Sequence, residues 1–174
     1  MMNETLHTMH TRRSVRKFKS DAVPKALLQQ IVQAGLDAPS GRNRQPAVIV
    51  AVTEKETVAR LSKANAAIMG STSDPFYGAP AILVVLCQKD APTYLYDGPL
   101  VMENLMLAAH ALGLGACWIH RAKETFEQPE WKQWLVSLGL TGDYEGIGQC
   151  IVGYPDGDLP APIDRREGRA FWVE

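Results

Sequence analysis

Several features are scarce in this sequence, and each scarcity removes a class of protein. No run of 18 or more apolar residues occurs, so no segment predicts a membrane-spanning helix. The first ten residues are polar and lack the apolar stretch of a signal peptide. Cysteine is limited to Cys87, Cys117 and Cys150, each among apolar neighbours. An odd number at wide spacing predicts neither a disulfide framework nor a zinc site, and reads as reduced, buried thiols in a cytoplasmic protein. A dominant charge is missing too: the formal net charge is -1, which argues against bulk nucleic-acid binding. Gly113-x-Gly115 follows a helical pattern and precedes a strand-like one, the reverse of what a dinucleotide loop needs. There is no phosphate loop of the G-x-x-x-x-G-K-[ST] type, no G-x-S-x-G elbow and no metal-ligand spacing of histidine or cysteine. No carboxylate pair is marked out for acid–base work. An enzyme with these gaps leaves the difficult chemistry to a bound cofactor.

What is present begins with an ordinary globular composition: 174 residues, 46% hydrophobic and 21% charged, a length that predicts one domain over residues 1–174. Against the near-neutral background stands Thr11–Phe18, T-R-R-S-V-R-K-F, with Arg12, Arg13, Arg16 and Lys17 around Ser14. Forked guanidinium donors beside a hydroxyl suit a phosphate or carboxylate, although a solvated basic turn would read the same way. A second basic pair, Arg165-Arg166, lies in a Pro-, Gly- and charge-rich tail from Pro155 to Glu174. The two groups together suit one phosphate, and a phosphorylated cofactor with a planar ring would then lie along the interface.

Along the chain, Val23–Gly35 predicts a helix with Leu27, Leu28, Ile31 and Val32 on one face. Pro39–Pro46, P-S-G-R-N-R-Q-P, is a polar loop, and the β-branched run Ala47–Thr53 predicts a buried strand. Glu54 to about Ala67 reads as a helix, and Met69–Ala79 as either a mobile lid or a long connection. Pro80–Cys87 has no polar alternation, so both its faces should be covered. Asp97 or Gly98 opens a helix to Ala111 or Leu112 that is apolar all round, hence expected to be buried on every side, with a second copy supplying the missing cover. A short strand, Ala116–Ile119, then leads to His120 and Arg121. Glu127–Leu138 predicts an amphipathic helix, and Gly148–Tyr154 the last core strand.

Four motifs in this order, R-R-S-V-R-K-F, A-P-S-G-R-N-R-Q-P, the D-G-P-L-V-M-E-N-L-M-L-A-A-H-A-L-G-L-G helix with C-W-I after it, and G-Y-P-D-G, resemble the short FMN-dependent nitroreductase family over Thr11 to about Arg166. The resemblance implies an α+β fold: a nitroreductase-like sandwich whose central, mainly antiparallel sheet is flanked by helices, in an intertwined homodimer with FMN at the interface. It implies that Arg12, Arg13 and Ser14 grip the FMN phosphate and ribityl chain, and that Arg16 approaches the pyrimidine edge. Ser40, Gly41, Asn43 and Gln45 would reach the flavin of the partner, Asn65 would meet the ring edge, and Ile119, His120 and Arg121 would lie along the ring. Arg165 and Arg166 are both candidates to close on the phosphate.

The activity implied is ping-pong hydride transfer through flavin N5, from NAD(P)H to a nitroaromatic, quinone or similar small-molecule acceptor. No catalytic side chain and no metal are expected. A flavin-binding or flavin-sensing module without turnover remains open on the same fold, as does an interaction protein whose arginines meet an acidic partner. His120-Arg121 is unusually polar for this family and points toward an anionic acceptor, unless Arg121 pairs with a carboxylate such as Glu124.

Overall fold

The computed structural model describes residues 3–174. Its centre is a four-stranded sheet in the order β1-β2-β4-β3, built from Ala47–Val52 (β1), Ala81–Gln88 (β2), Gly115–Ile119 (β3) and Tyr144–Gly153 (β4). Every ladder is antiparallel, with Ala47 opposite Cys87, Ala81 opposite Val152 and Gly115 opposite Gly153. The helices are α1 (Glu4–Thr11), α2 (Lys25–Leu36), α3 (Lys55–Met69), α4 (Tyr94–Ala111), α5 (Ala122–Glu127) and α6 (Pro129–Ser137).

Strand β2 shows why the sheet needs two covers. Side chains alternate along a strand. Ala81, Leu83 and Val85 enter a core with α2 and α4, whereas Ile82, Val84 and Leu86 enter a second core with α3, α5 and α6. A strand buried on both faces therefore reads as an unbroken apolar run. Glycine sets two of the approaches. A Cβ on Gly35 of α2 would collide with Leu105 of α4, and one on Gly146 would strike the Ala122 carbonyl of α5.

The polar N-terminus forms α1, whose Asn3 side chain caps it by accepting from Thr5 N at 2.9 Å, and which buries none of its residues. Two expectations need correction. The helix expected over Glu127–Leu138 is α6 alone, preceded by α5, because Pro129 at the first turn starts a new helix after the extended Gln128. Helix α4 begins at Tyr94, a turn earlier than Asp97, and carries Pro99 inside it. Within one chain, α4 turns Val101, Met102, Leu105, Met106 and Ala109 to the core and leaves Leu95, Tyr96 and Leu100 exposed.

Candidate functional site

The basic stretch is held in place from its first residue. Thr11 ends α1, and its hydroxyl donates to the His7 carbonyl at 2.8 Å. The same oxygen lies 2.8 Å from His110 Nε2 near the end of α4. A hydroxyl has one proton, so His110 donates here from Nε2. Burial pushes the His110 pKa down, and the charges of Arg12, His7 and Arg13 add to that. Beyond Thr11, Ser14 bridges in parallel to Ala116, and Val15 N donates to the Ala116 carbonyl at 3.0 Å. This seats Arg12–Ser14 along the open edge of β3.

The two guanidinium groups differ in what holds them. Arg13 Nη1 donates to the His10 and Arg12 carbonyls, each at 2.8 Å. Arg12 Nε has a loose ionic contact with Glu103 at 3.9 Å. Arg12 Nη1 and Arg13 Nε are buried and have no hydrogen-bond partner among the described residues. A buried donor in that condition is costly, and an anion relieves it. Ser14 is half-buried beside them, and Arg16 is exposed.

A second group forms around Asn65, which is 0% exposed. Its Nδ2 donates to the His120 carbonyl at 2.8 Å, and its Oδ1 accepts from Arg121 Nε at 2.9 Å. Both ends of the amide are thus engaged within the protein. Arg121 has φ of 72°, in the left-handed region, and makes no ion pair with Glu124 among the described residues. Ile119 is buried at the end of β3 and His120 is exposed. Strand β3 joins the two groups: Arg121 follows Ala116 by about 16 Å of extended chain.

The third group lies elsewhere. In the 39–46 loop, Gly41 N donates to Asp97 Oδ1 at 2.9 Å, and Thr93 Oγ1 donates to Asp97 Oδ2 at 2.8 Å. Ser40 Oγ accepts from Gln45 N at 3.0 Å, and Gln45 Nε2 donates to Asn43 Oδ1 at 2.8 Å. Arg42, Asn43 and Gln45 take φ of 54°, 54° and 49°, strained values for residues other than glycine. This loop is tied to the first turns of α4, whereas Thr11 is tied to its last turn. About 20 Å of helix separates Asp97 from His110. Arg165 and Arg166 lie in the exposed tail. Arg12, Arg13 and Ser14 thus sit on the β3 edge, Asn65, His120 and Arg121 are bonded to one another, and the loop is held at the opposite end of α4 from Thr11.

Sequence reasoning passed over Thr11, His110, Glu103 and Asp97. Asp97 did carry a signal, since Asp-Gly-Pro looked like a helix start, but its task is to pin the 39–46 loop. A cleft of about 830 Å³ lies between α3 and the 71–80 segment, lined by Lys55, Lys63 and Phe76 among others, and contains none of the expected site residues. No group of three or more potential metal ligands occurs among the described residues, and no helix there is long and apolar enough to cross a membrane.

The arrangement is that of an α+β protein with unpaired arginine donors on a sheet edge, suited to a phosphorylated ligand. Residues 9–159 match the model of the Nitroreductase family, and the chain belongs to that family. It is 29% identical over 124 residues to a protein of Methanothermobacter thermautotrophicus named as an NADH dehydrogenase/NAD(P)H nitroreductase. That match covers 66% of this chain and 60% of the archaeal protein's length. A nitroreductase with bound FMN from Bacteroides fragilis superposes with a TM-score of 0.90 at 29% identity, covering 99% of this chain and 100% of the other. One from Desulfitobacterium hafniense, also with bound FMN, gives 0.88 at 28% identity, covering 100% of both.

Proposed function

We propose that the protein is an FMN-dependent NAD(P)H oxidoreductase. Its acceptors would be nitroaromatics, quinones or similar small molecules, and it would work as a homodimer of one-domain chains in the cytoplasm. One observation carries the reading: the buried, unpartnered Arg12 Nη1 and Arg13 Nε on the edge of β3. A phosphate supplies the acceptors these donors lack, and FMN is the phosphorylated ligand of the two structural relatives. Arg12, Arg13 and Ser14 would hold the phosphate end, with Arg16 toward the ring's pyrimidine edge. The Ile119–Arg121 segment would lie along the ring, and Arg165 or Arg166 would close from a tail. Asn65 would serve the ring edge through the His120 and Arg121 groups it holds.

Bound FMN supplies the two-electron chemistry between nicotinamide and acceptor. The chain's own part is placement and charge. A cation at Arg16 favours negative charge on the reduced ring, and no side chain need act as acid or base.

Two features support a second copy. The loop with Ser40, Gly41, Asn43 and Gln45 is held a helix length away from the arginine cluster, so a two-fold pairing along α4 would lay one chain's loop beside the partner's arginines. Leu95, Tyr96 and Leu100 on α4 are exposed, and the tail leaves Phe171 and Trp172 at 87% and 86% exposure, an apolar surface that a partner would cover.

The test is spectroscopic. The purified protein is expected to carry a visible flavin band that bleaches under nitrogen on adding NADH or NADPH. A stable band would make it a flavin binder without turnover. A colourless protein that takes up no FMN would overturn the proposal.

A further inference from the structure

We infer that Arg121 selects for acceptors that carry a carboxylate. The inference rests on the flavoenzyme reading above and names the substrate class of the same site. Arg121 is fixed more firmly than a surface arginine need be. Its left-handed backbone, φ 72°, is unfavourable for any residue with a Cβ, yet three hydrogen bonds hold it and a fourth holds the residue before it. Its carbonyl accepts from Thr125 N at 3.0 Å and from Thr125 Oγ1 at 2.8 Å. Its Nε donates to Asn65 Oδ1 at 2.9 Å, while Asn65 Nδ2 holds the preceding carbonyl of His120 at 2.8 Å. Asn65 and Thr125 are both 0% exposed, so the clamp itself is shut off from solvent.

What the clamp leaves over is the far edge of the guanidinium. With Nε engaged, Nη1 and Nη2 form a two-pronged donor, and neither has a hydrogen bond or ion pair among the described residues. Two parallel N–H groups match the two oxygens of a carboxylate. A phosphate, such as the one that separates NADPH from NADH, accepts from the same kind of fork, but its second negative charge calls for a second cation. The adjacent cation, Lys123, is drawn to Glu145 at 3.5 Å, which leaves one fork for one monoanion. Asn65 is then a positioning residue: it aims the fork without touching the acceptor.

The experiment uses the flavin-loaded full chain and two acceptors, 4-nitrobenzoate and its uncharged methyl ester. Each turnover converts Ar–NO₂ to Ar–NO, consuming one NAD(P)H and one proton and releasing one water. The quantity read is the ratio of kcat/KM for acid over ester, compared between the native protein and Arg121→Gln, so that the acceptors' intrinsic reactivities cancel. The ratio is expected to fall about tenfold in Arg121→Gln, the loss of one charge-assisted contact, and to recover in part in Arg121→Lys, which keeps the charge without the fork. Asn65→Leu should raise KM for the acid more than it changes kcat. An unchanged ratio overturns the inference. A loss confined to NADPH relative to NADH also overturns it, assigning Arg121 to the donor's phosphate instead. Should the native protein neither bleach with NAD(P)H nor reduce the ester, the flavoenzyme reading is what fails.

Discussion

At the scale of single residues, the decisive feature is a pair of buried donors, Arg12 Nη1 and Arg13 Nε, that lack acceptors among the described residues. Arg12→Ala would remove the proposed charge-assisted phosphate contact, worth about 1.5–3 kcal/mol, so FMN should bind about 10- to 150-fold more weakly. Fluorescence titration of the apoprotein with FMN measures this directly, and unchanged affinity would separate Arg12 from the phosphate. His110 offers a pH test. Its folded pKa lies below the ordinary 6.5, mainly through burial and then through Arg12. Below about pH 6.5 the unfolded chain therefore takes up a proton that the folded chain resists, and stability falls with pH through that window. His110→Gln should lose this part of the dependence in urea melts at pH 5.5 and 7.5. The arginines were legible in the sequence because they cluster within five residues against a neutral background. The partners that hold them were not: Thr11 and His110 meet across 99 positions, and no local pattern encodes such a contact.

At the scale of elements, burial decided what could be read. Strands β1 and β2 and helix α2 announce themselves through apolar runs and periodicity. Helix α1 does not, because it buries none of its side chains and has only Leu6 and Met9 to mark an apolar face. The start of β4 at Tyr144 was hidden by Gly146 and Gly148, residues that weaken strand patterns but are needed where α5 and Trp118 press on the sheet. Gly146→Ala should cost about 1–3 kcal/mol, because the Cβ meets backbone that cannot step aside. A chemical melt measures it, and a neutral result would mean α5 sits less tightly than described. The strands also protect the thiols. Burial pushes Cys87 up to about 12 and Cys150 higher still, with Cys117 buried as well. All three should resist a thiol reagent such as DTNB in the native state and react together on unfolding.

At the scale of the whole molecule, the proposed site draws on two chains, and neither end of it is complete in one. The resemblance drew the arginine stretch and the Pro39–Pro46 loop toward one ligand, and the fold explains how both can be right: α4 keeps them apart within a chain, and a twin beside it would bring them together. Sedimentation should accordingly give twice the 19.1 kDa of one chain. The most direct test mixes two defective chains, Arg12→Ala and the double variant Asn43→Ala/Gln45→Ala, each expected to lose FMN by itself. In a heterodimer isolated through two different tags, one site carries every substitution and the other carries none. The account predicts about one FMN per heterodimer, with both parents nearly empty. Heterodimers as empty as their parents, or a loop variant that keeps its flavin, would contradict a site shared between two chains.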